Sequence, residues 1–213
     1  MLFCTRTFGA VLILILGACA PMKTTYYLPS GGDASSVVGG CSGGKSRIEI
    51  PLPGAIVLGV SAYPTDANGR TASEIASGGY RIHAEAMKIY LTLQVPVGQS
   101  IQFTTSTFLL TSNVNPQGQE VELPRFQFYG QSANTQTRDY SSTDELNGAP
   151  GVPALFGTYN VSALYLGEFV TVDAAPSEFQ ITLPPIVVNG SELKIAPISF
   201  ALRDEYVMTG ICP

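Results

Sequence analysis

Met87-Lys88-Ile89-Tyr90-Leu91-Thr92-Leu93-Gln94-Val95 alternates apolar and polar residues without a break. A period of two puts Met87, Ile89, Leu91, Leu93 and Val95 on one side of an extended chain and Lys88, Tyr90, Thr92 and Gln94 on the other. This predicts a strand with one buried and one wet face. The residues just before it, His83-Ala84-Glu85-Ala86, favour helix, but the alternation that follows outweighs that preference and the stretch reads as extended. Ile48-Glu49-Ile50-Pro51-Leu52 and Phe179-Gln180-Ile181-Thr182-Leu183 repeat the pattern. β-Branched or aromatic runs at 55–63, 100–110, 120–129, 161–166, 169–172, 186–188, 193–195 and 199–202 extend it along the chain. Gly, Pro and Asn separate them, and Asn189-Gly190 predicts a tight hairpin between two of them.

Many short strands without long intervening helices point to an all-β fold, an antiparallel β-sandwich of immunoglobulin-like or transthyretin-like kind, with a closed barrel as the alternative. The composition agrees: 13% charged residues, 22 Gly, 15 Pro and no Trp describe a turn-rich chain. One or two short helical turns are expected where capping boxes occur, at Thr71-Ala72-Ser73-Glu74 and Ser142-Thr143-Asp144-Glu145. There is no internal repeat and no heptad.

The beginning of the chain carries a different signal. Arg6 precedes an apolar run from Phe8 to Leu16, too short for a spanning helix and typical of a secretory signal. Leu16-Gly17-Ala18-Cys19 resembles the lipobox of bacterial lipoproteins, in which the cysteine is acylated after cleavage. The resemblance covers about 20 residues. It implies a signal peptide over 1–18, palmitate-type acylation of Cys19 and membrane attachment through that lipid, with two or more acyl chains giving stable anchoring. Ala20 after the cysteine implies sorting to the outer membrane. Without residues 1–18 the chain keeps ten Lys and Arg against 16 Asp and Glu, an acidic balance that makes nucleic acid an unsuitable partner.

With Cys4 removed and Cys19 lipidated, Cys41 and Cys212 remain in an oxidising compartment and are expected to form a disulfide, free thiols or an intermolecular bridge being the alternative. Closing a loop of about 170 residues is worth roughly 5 kcal/mol on the chain-entropy account. Residues 19–46 read as a lipidated cysteine followed by a flexible tether; Ala20 to Gly40 combines breakers with no period and would measure about 25 Å between its ends and about 70 Å at full stretch. The single domain is expected over 47–213.

Several motifs imitate chemistry. Gly39-Gly40-Cys41-Ser42-Gly43-Gly44-Lys45-Ser46 matches the phosphate-binding P-loop letter for letter, but a working loop needs a helix after it, and the alternating run at Ile48 predicts a strand, so no nucleotide is expected. Gly40-Cys41-Ser42-Gly43-Gly44 matches a hydrolase nucleophile elbow, with Asp66 and His83 as nominal partners, yet lacks the strand-to-helix context and the spacing. His83 is the sole histidine, which leaves too few ligands for a zinc site. The acidic pairs Glu120 and Glu122, Asp144 and Glu145, and Asp204 and Glu205 read as solvated strand and turn residues. No catalytic residue, metal or cofactor is assigned.

The long connection 130–157 is the candidate binding loop, with Arg138, Asp139 and Tyr140 as its recognition residues and Leu155 and Phe156 at an apolar tip. Pro64-Thr65-Asp66-Ala67-Asn68-Gly69-Arg70 is similar, over those seven residues, to a turn in outer-membrane lipoproteins of type VI secretion systems, which are lipid-anchored sandwiches that dock a membrane complex; no residue role is carried over. The expected function is a non-enzymatic, outer-membrane-anchored lipoprotein with a structural or protein-interaction role in the envelope. Its expected partners are the membrane and an envelope protein. A glycan- or ligand-binding module is the alternative, favoured by a groove of exposed tyrosines, and a hydrolase the remote one.

Overall fold

A computed structural model describes residues 21–32, 36–40, 44–71, 83–129, 138–149 and 162–208. Cys19, Cys41 and Cys212 lie outside them, as do the box at 72–74 and most of the loop at 130–137 and 150–161.

The alternating stretch forms β5 (Ala86–Pro96), the centre of the largest of three sheets. Around it, β10 (Asp139–Tyr140), β9 (Phe126–Tyr129), β12 (Ser162–Gly167), β5, β4 (Ile56–Thr65), β3 (Gly44–Leu52) and β2 (Ser36–Gly40) lie in that order. β13 (Val170–Val172) continues β12 along the same edge of β5. The second sheet orders β1 (Pro21–Gly31), β17 (Ile198–Met208), β14 (Glu178–Thr182), β7 (Thr107–Ser112) and β8 (Gln119–Glu122). A small third sheet joins β11 (Leu146–Asn147), β6 (Ser100–Phe103), β15 (Ile186–Val188) and β16 (Ser191–Leu193). All these pairings are antiparallel, and the molecule is an all-β sandwich.

The inward rows meet as expected from the period. Ile48, Leu58, Val60, Ile89, Leu91 and Leu93 of the larger sheet share one core with Tyr27, Phe108, Ile181 and Phe200 of the second and with Ile101, Phe103 and Ile186 of the third. Phe179 stacks on Phe200 at 4.9 Å, and Tyr27 meets Phe179 edge-on at 5.0 Å. Each such pair adds about 0.5–1.5 kcal/mol beyond burial. Tyr27 donates its hydroxyl to the Pro176 carbonyl at 3.0 Å, and burial pushes its phenol far above the ordinary range.

Three expectations are corrected. The tether does not hold over 21–31, 36–40 and 44–46: Pro21–Gly31 is a strand paired along its whole length with β17, and Ser36–Gly40 pairs with β3, so the sheets begin ahead of residue 47. Thr24-Thr25-Tyr26-Tyr27 has strong strand preference, and Thr25 Oγ1 donates to Asp204 Oδ1 at 2.6 Å across the pair. The helical turn at Ser142 is a tight turn followed by β11. One capping bond does form, a residue earlier than expected, from Ser141 N to Asp144 Oδ2 at 2.8 Å, while Asp144 N donates to the Ser141 backbone carbonyl at 3.0 Å, a turn bond and not the second half of a capping box. The next residues instead join β6, because Leu146 is fully buried against the core. Finally, the runs 100–110 and 120–129 each break in two, and each pair of halves enters different sheets.

Candidate functional site

The outer face of the larger sheet carries the most distinctive surface. Because Ile48, Val60 and Ile89 point inward, their neighbours Arg47, Glu49, Gly59, Ser61, Tyr63, Lys88, Tyr90 and Thr92 point outward. Register places Arg47 beside Ser61 and Ser61 beside Tyr90, Glu49 beside Gly59 and Gly59 beside Thr92, and Tyr63 beside Lys88. Gly59 leaves a gap across which the Arg47 side chain lies flat: a Cβ there would fall 2.8 Å from Arg47 Nη2. Arg47 donates to Thr92 Oγ1 at 3.1 Å and pairs with Glu49 Oε1 at 3.0 Å. Ser61 and Thr92 are consequently buried although they sit on the outer face. The Arg47 Nε–H is buried and makes no hydrogen bond.

Beside this polar cluster stands an aromatic one. Leu166 pairs with Thr92 and Val170 with Ile89, so the chain from β12 to β13 holds one residue more than β5 opposite it. That is the count of a β-bulge, and it turns Phe169 outward over Tyr90. The two rings stack at 4.8 Å, Tyr63 meets Phe169 edge-on at 6.4 Å, and Lys88 Nζ lies 5.4 Å from the Phe169 centroid. Phe169 remains 52% exposed. Burial raises the Tyr90 phenol above its ordinary range, Tyr63 adds to the effect and Arg47 opposes it.

The residues nominated from sequence are distributed differently. Asp139 and Tyr140 form β10 on the edge of the same sheet, with Asp139 outward and Tyr140 inward. Tyr140 packs edge-on against Tyr165 at 5.5 Å, while Arg138 covers its ring at 5.1 Å. Part of the expected recognition loop is therefore a paired edge that closes the core, and its polar members Arg138 and Asp139 stay exposed. Asp66 is committed to its own turn, accepting from the Asn68 and Arg70 amides at 3.0 and 2.8 Å and from Arg70 Nε and Nη2 at 3.1 and 2.9 Å. The Arg70 amide is the largest influence holding its carboxyl below the usual range. His83 is exposed, in a cleft with Thr25, Arg203 and Asp204. Gly44-Lys45-Ser46 lies in β3, so a strand and not a helix follows the glycine-rich motif. The acidic pairs fall on β8, on the turn before β11 and on β17. Among the described residues no three His, Cys, Asp or Glu side chains gather as a metal site.

Sequence reasoning passed over Tyr63, Tyr90 and Phe169 as binding residues. The available signal was Tyr90, a large aromatic at a wet position of the alternation, where a small polar residue suffices. The bulge that adds Phe169 has no local signature. No protein-family model, curated protein or solved structure matches this chain.

Proposed function

We propose that this chain is a non-enzymatic lipoprotein, anchored in the outer membrane through Cys19, whose sandwich docks an envelope protein through the outer face of its larger sheet. The observation that carries the docking is the exposed Phe169 ring stacked on Tyr90 beside the Arg47–Glu49 pair. Aromatic and arginine side chains dominate the energetics of protein interfaces, because they bury much area for few ordered bonds. The anchor rests on the lipobox resemblance. Since β1 starts at Pro21, the lipid and the sheet are separated by about 7 Å of chain, and the domain lies close against its membrane and not on a long tether. A Cys41–Cys212 disulfide belongs to the same reading of an oxidising compartment.

The test is crosslinking in cells with benzoylphenylalanine in place of Phe169, or of the exposed Val114 as control, each with and without Cys19→Ala. Capture of one envelope protein through position 169 alone, lost with Cys19→Ala, supports the proposal. Equal capture at both positions, or none, overturns the docking face; a Cys19→Ala chain that still sediments with membranes overturns the anchor. A glycan module is the second reading, favoured by the same exposed rings, which can stack on sugar faces. Recovery of cell-wall or surface glycan without a protein would establish it.

A further inference from the structure

β8 and β13 each end their sheet on the same side of the sandwich, and a cleft of about 480 Å3 lies between them, lined by Gln119–Glu122 and Val170–Ala174. Among the described residues neither strand has a partner on its cleft side. The direction of the backbone groups follows from neighbouring bonds. Leu123 N donates to the Ser106 carbonyl, on the β7 side, so Val121 and Gln119 also face β7, while Glu120 and Glu122 turn their N–H and C=O toward the cleft. Glu168 N donates to the Arg125 carbonyl on the β9 side, so Leu164 and Leu166 also face β9 while Ala163 and Tyr165 bond with Val95 and Leu93. Along β5 the same parity turns Ile89 and Met87 to β13, where they bond with Val170 and Val172, leaving the backbone of Thr171 directed into the cleft.

We propose that this cleft takes an extended segment of a partner protein as an added strand, with lysine or arginine at its alternate positions. Backbone pairing supplies the attraction common to any strand, as in known modes of strand addition. Charge selects the sequence: Glu120, Glu122 and Asp173 line the cleft, and no Lys or Arg lines it among the described residues. Acidic side chains on an open edge also repel other acidic chains, including a second copy of this one, whose net charge is −5. A basic segment turns that repulsion into attraction. The inference does not depend on Phe169 or on the lipid.

The experiment uses the purified full chain and a short fluorescent peptide of alternating lysine and valine, capped at both ends. Two further peptides carry glutamate for lysine, or N-methyl groups on alternate amides that keep the charge and abolish strand pairing. Anisotropy is expected to give binding that weakens by about tenfold or more with N-methylation, with Glu120→Gln combined with Glu122→Gln, and with the glutamate peptide. Amide exchange at Glu120, Glu122 or Thr171 is expected to slow when the lysine peptide is bound. Equal binding of the N-methylated peptide, unchanged exchange at all three amides, or no binding at millimolar peptide would overturn the proposal. Both substituted glutamates are exposed, and unchanged thermal unfolding of the double variant excludes a folding defect.

Discussion

Asp66 closes a turn of five residues almost without help from the rest of the molecule. Its carboxylate accepts two backbone and two guanidinium hydrogen bonds from within that turn. Because the Arg70 amide is the leading cause of its lowered pKa, Arg70→Ala keeps that bond and is expected to restore only part of the shift, as read by NMR titration of the Asp66 carboxyl. Return to the ordinary value would assign the effect to the side chain. A carboxyl lowered in the folded state stabilises the turn above its ordinary range, and the contribution disappears as pH falls through the lowered value. Glycines make a second contrast. Gly190 has φ +80° and open space around its missing Cβ, so Gly190→Ala meets only the left-handed penalty, about 1–2 kcal/mol. Gly59 has no positive φ but lies under Arg47 and Thr92. Gly59→Ala is expected to release Arg47 from Thr92, changing the Tyr90 environment as well as stability. Urea unfolding and the Tyr90 ring resonances measure the two effects separately.

β12 is held at its middle by Tyr165, whose hydroxyl donates to the carbonyl of Asn147, the last residue of β11, at 2.6 Å. Burial is the main reason its phenol is pushed up to about 12, and Tyr140 adds to it. A raised phenol favours the neutral folded form: the stabilisation is complete below the ordinary value of 10.0 and is lost as pH rises toward about 12. Ultraviolet titration is therefore expected to show late phenolate ionisation that Tyr165→Phe diminishes by one tyrosine, Tyr27 and Tyr90 remaining late, at a cost of about 1 kcal/mol for the lost hydrogen bond. Early ionisation of every tyrosine would contradict this placement. The turn of the β15–β16 hairpin was legible, since Asn189 and Gly190 both take positive φ, as the two-residue turn demands, but its second strand is Ser191–Leu193 and not 193–195. A capped turn was legible near Ser142, but its bond joins Ser141 to Asp144 and no helix follows it. Four residues can close a turn, whereas a helix needs following residues that the core does not claim.

A single core joins all three sheets, and residues as distant in sequence as Tyr27 and Phe200 belong to it. Such a core is expected to unfold in one transition. Phe200→Ala should lower stability by about 3–5 kcal/mol without splitting that transition, and two separate denaturant midpoints would refute one cooperative unit. Alternation assigned the buried face of β3, β5 and β14 correctly from their own residues, because a side chain's face depends only on its parity along an extended chain. Tyr90 of the candidate site was visible on the wet face in the same way, whereas Tyr63 lies in a run whose faces the period did not separate. Parity says nothing about partners. The period continues through Thr104, Thr105 and Ser106 as readily as it breaks there, so the division of β6 from β7 was hidden. β1 is paired with a strand some 180 residues away, as the bond between Thr25 and Asp204 illustrates. The meeting of Phe169 with Tyr90, and of two open edges across one cleft, likewise depends on which strands adjoin. Which residues are buried is written locally; which strands neighbour one another is settled when the shared core closes, since many alternating segments offer equivalent hydrogen bonds and only their combined packing distinguishes one arrangement from the rest.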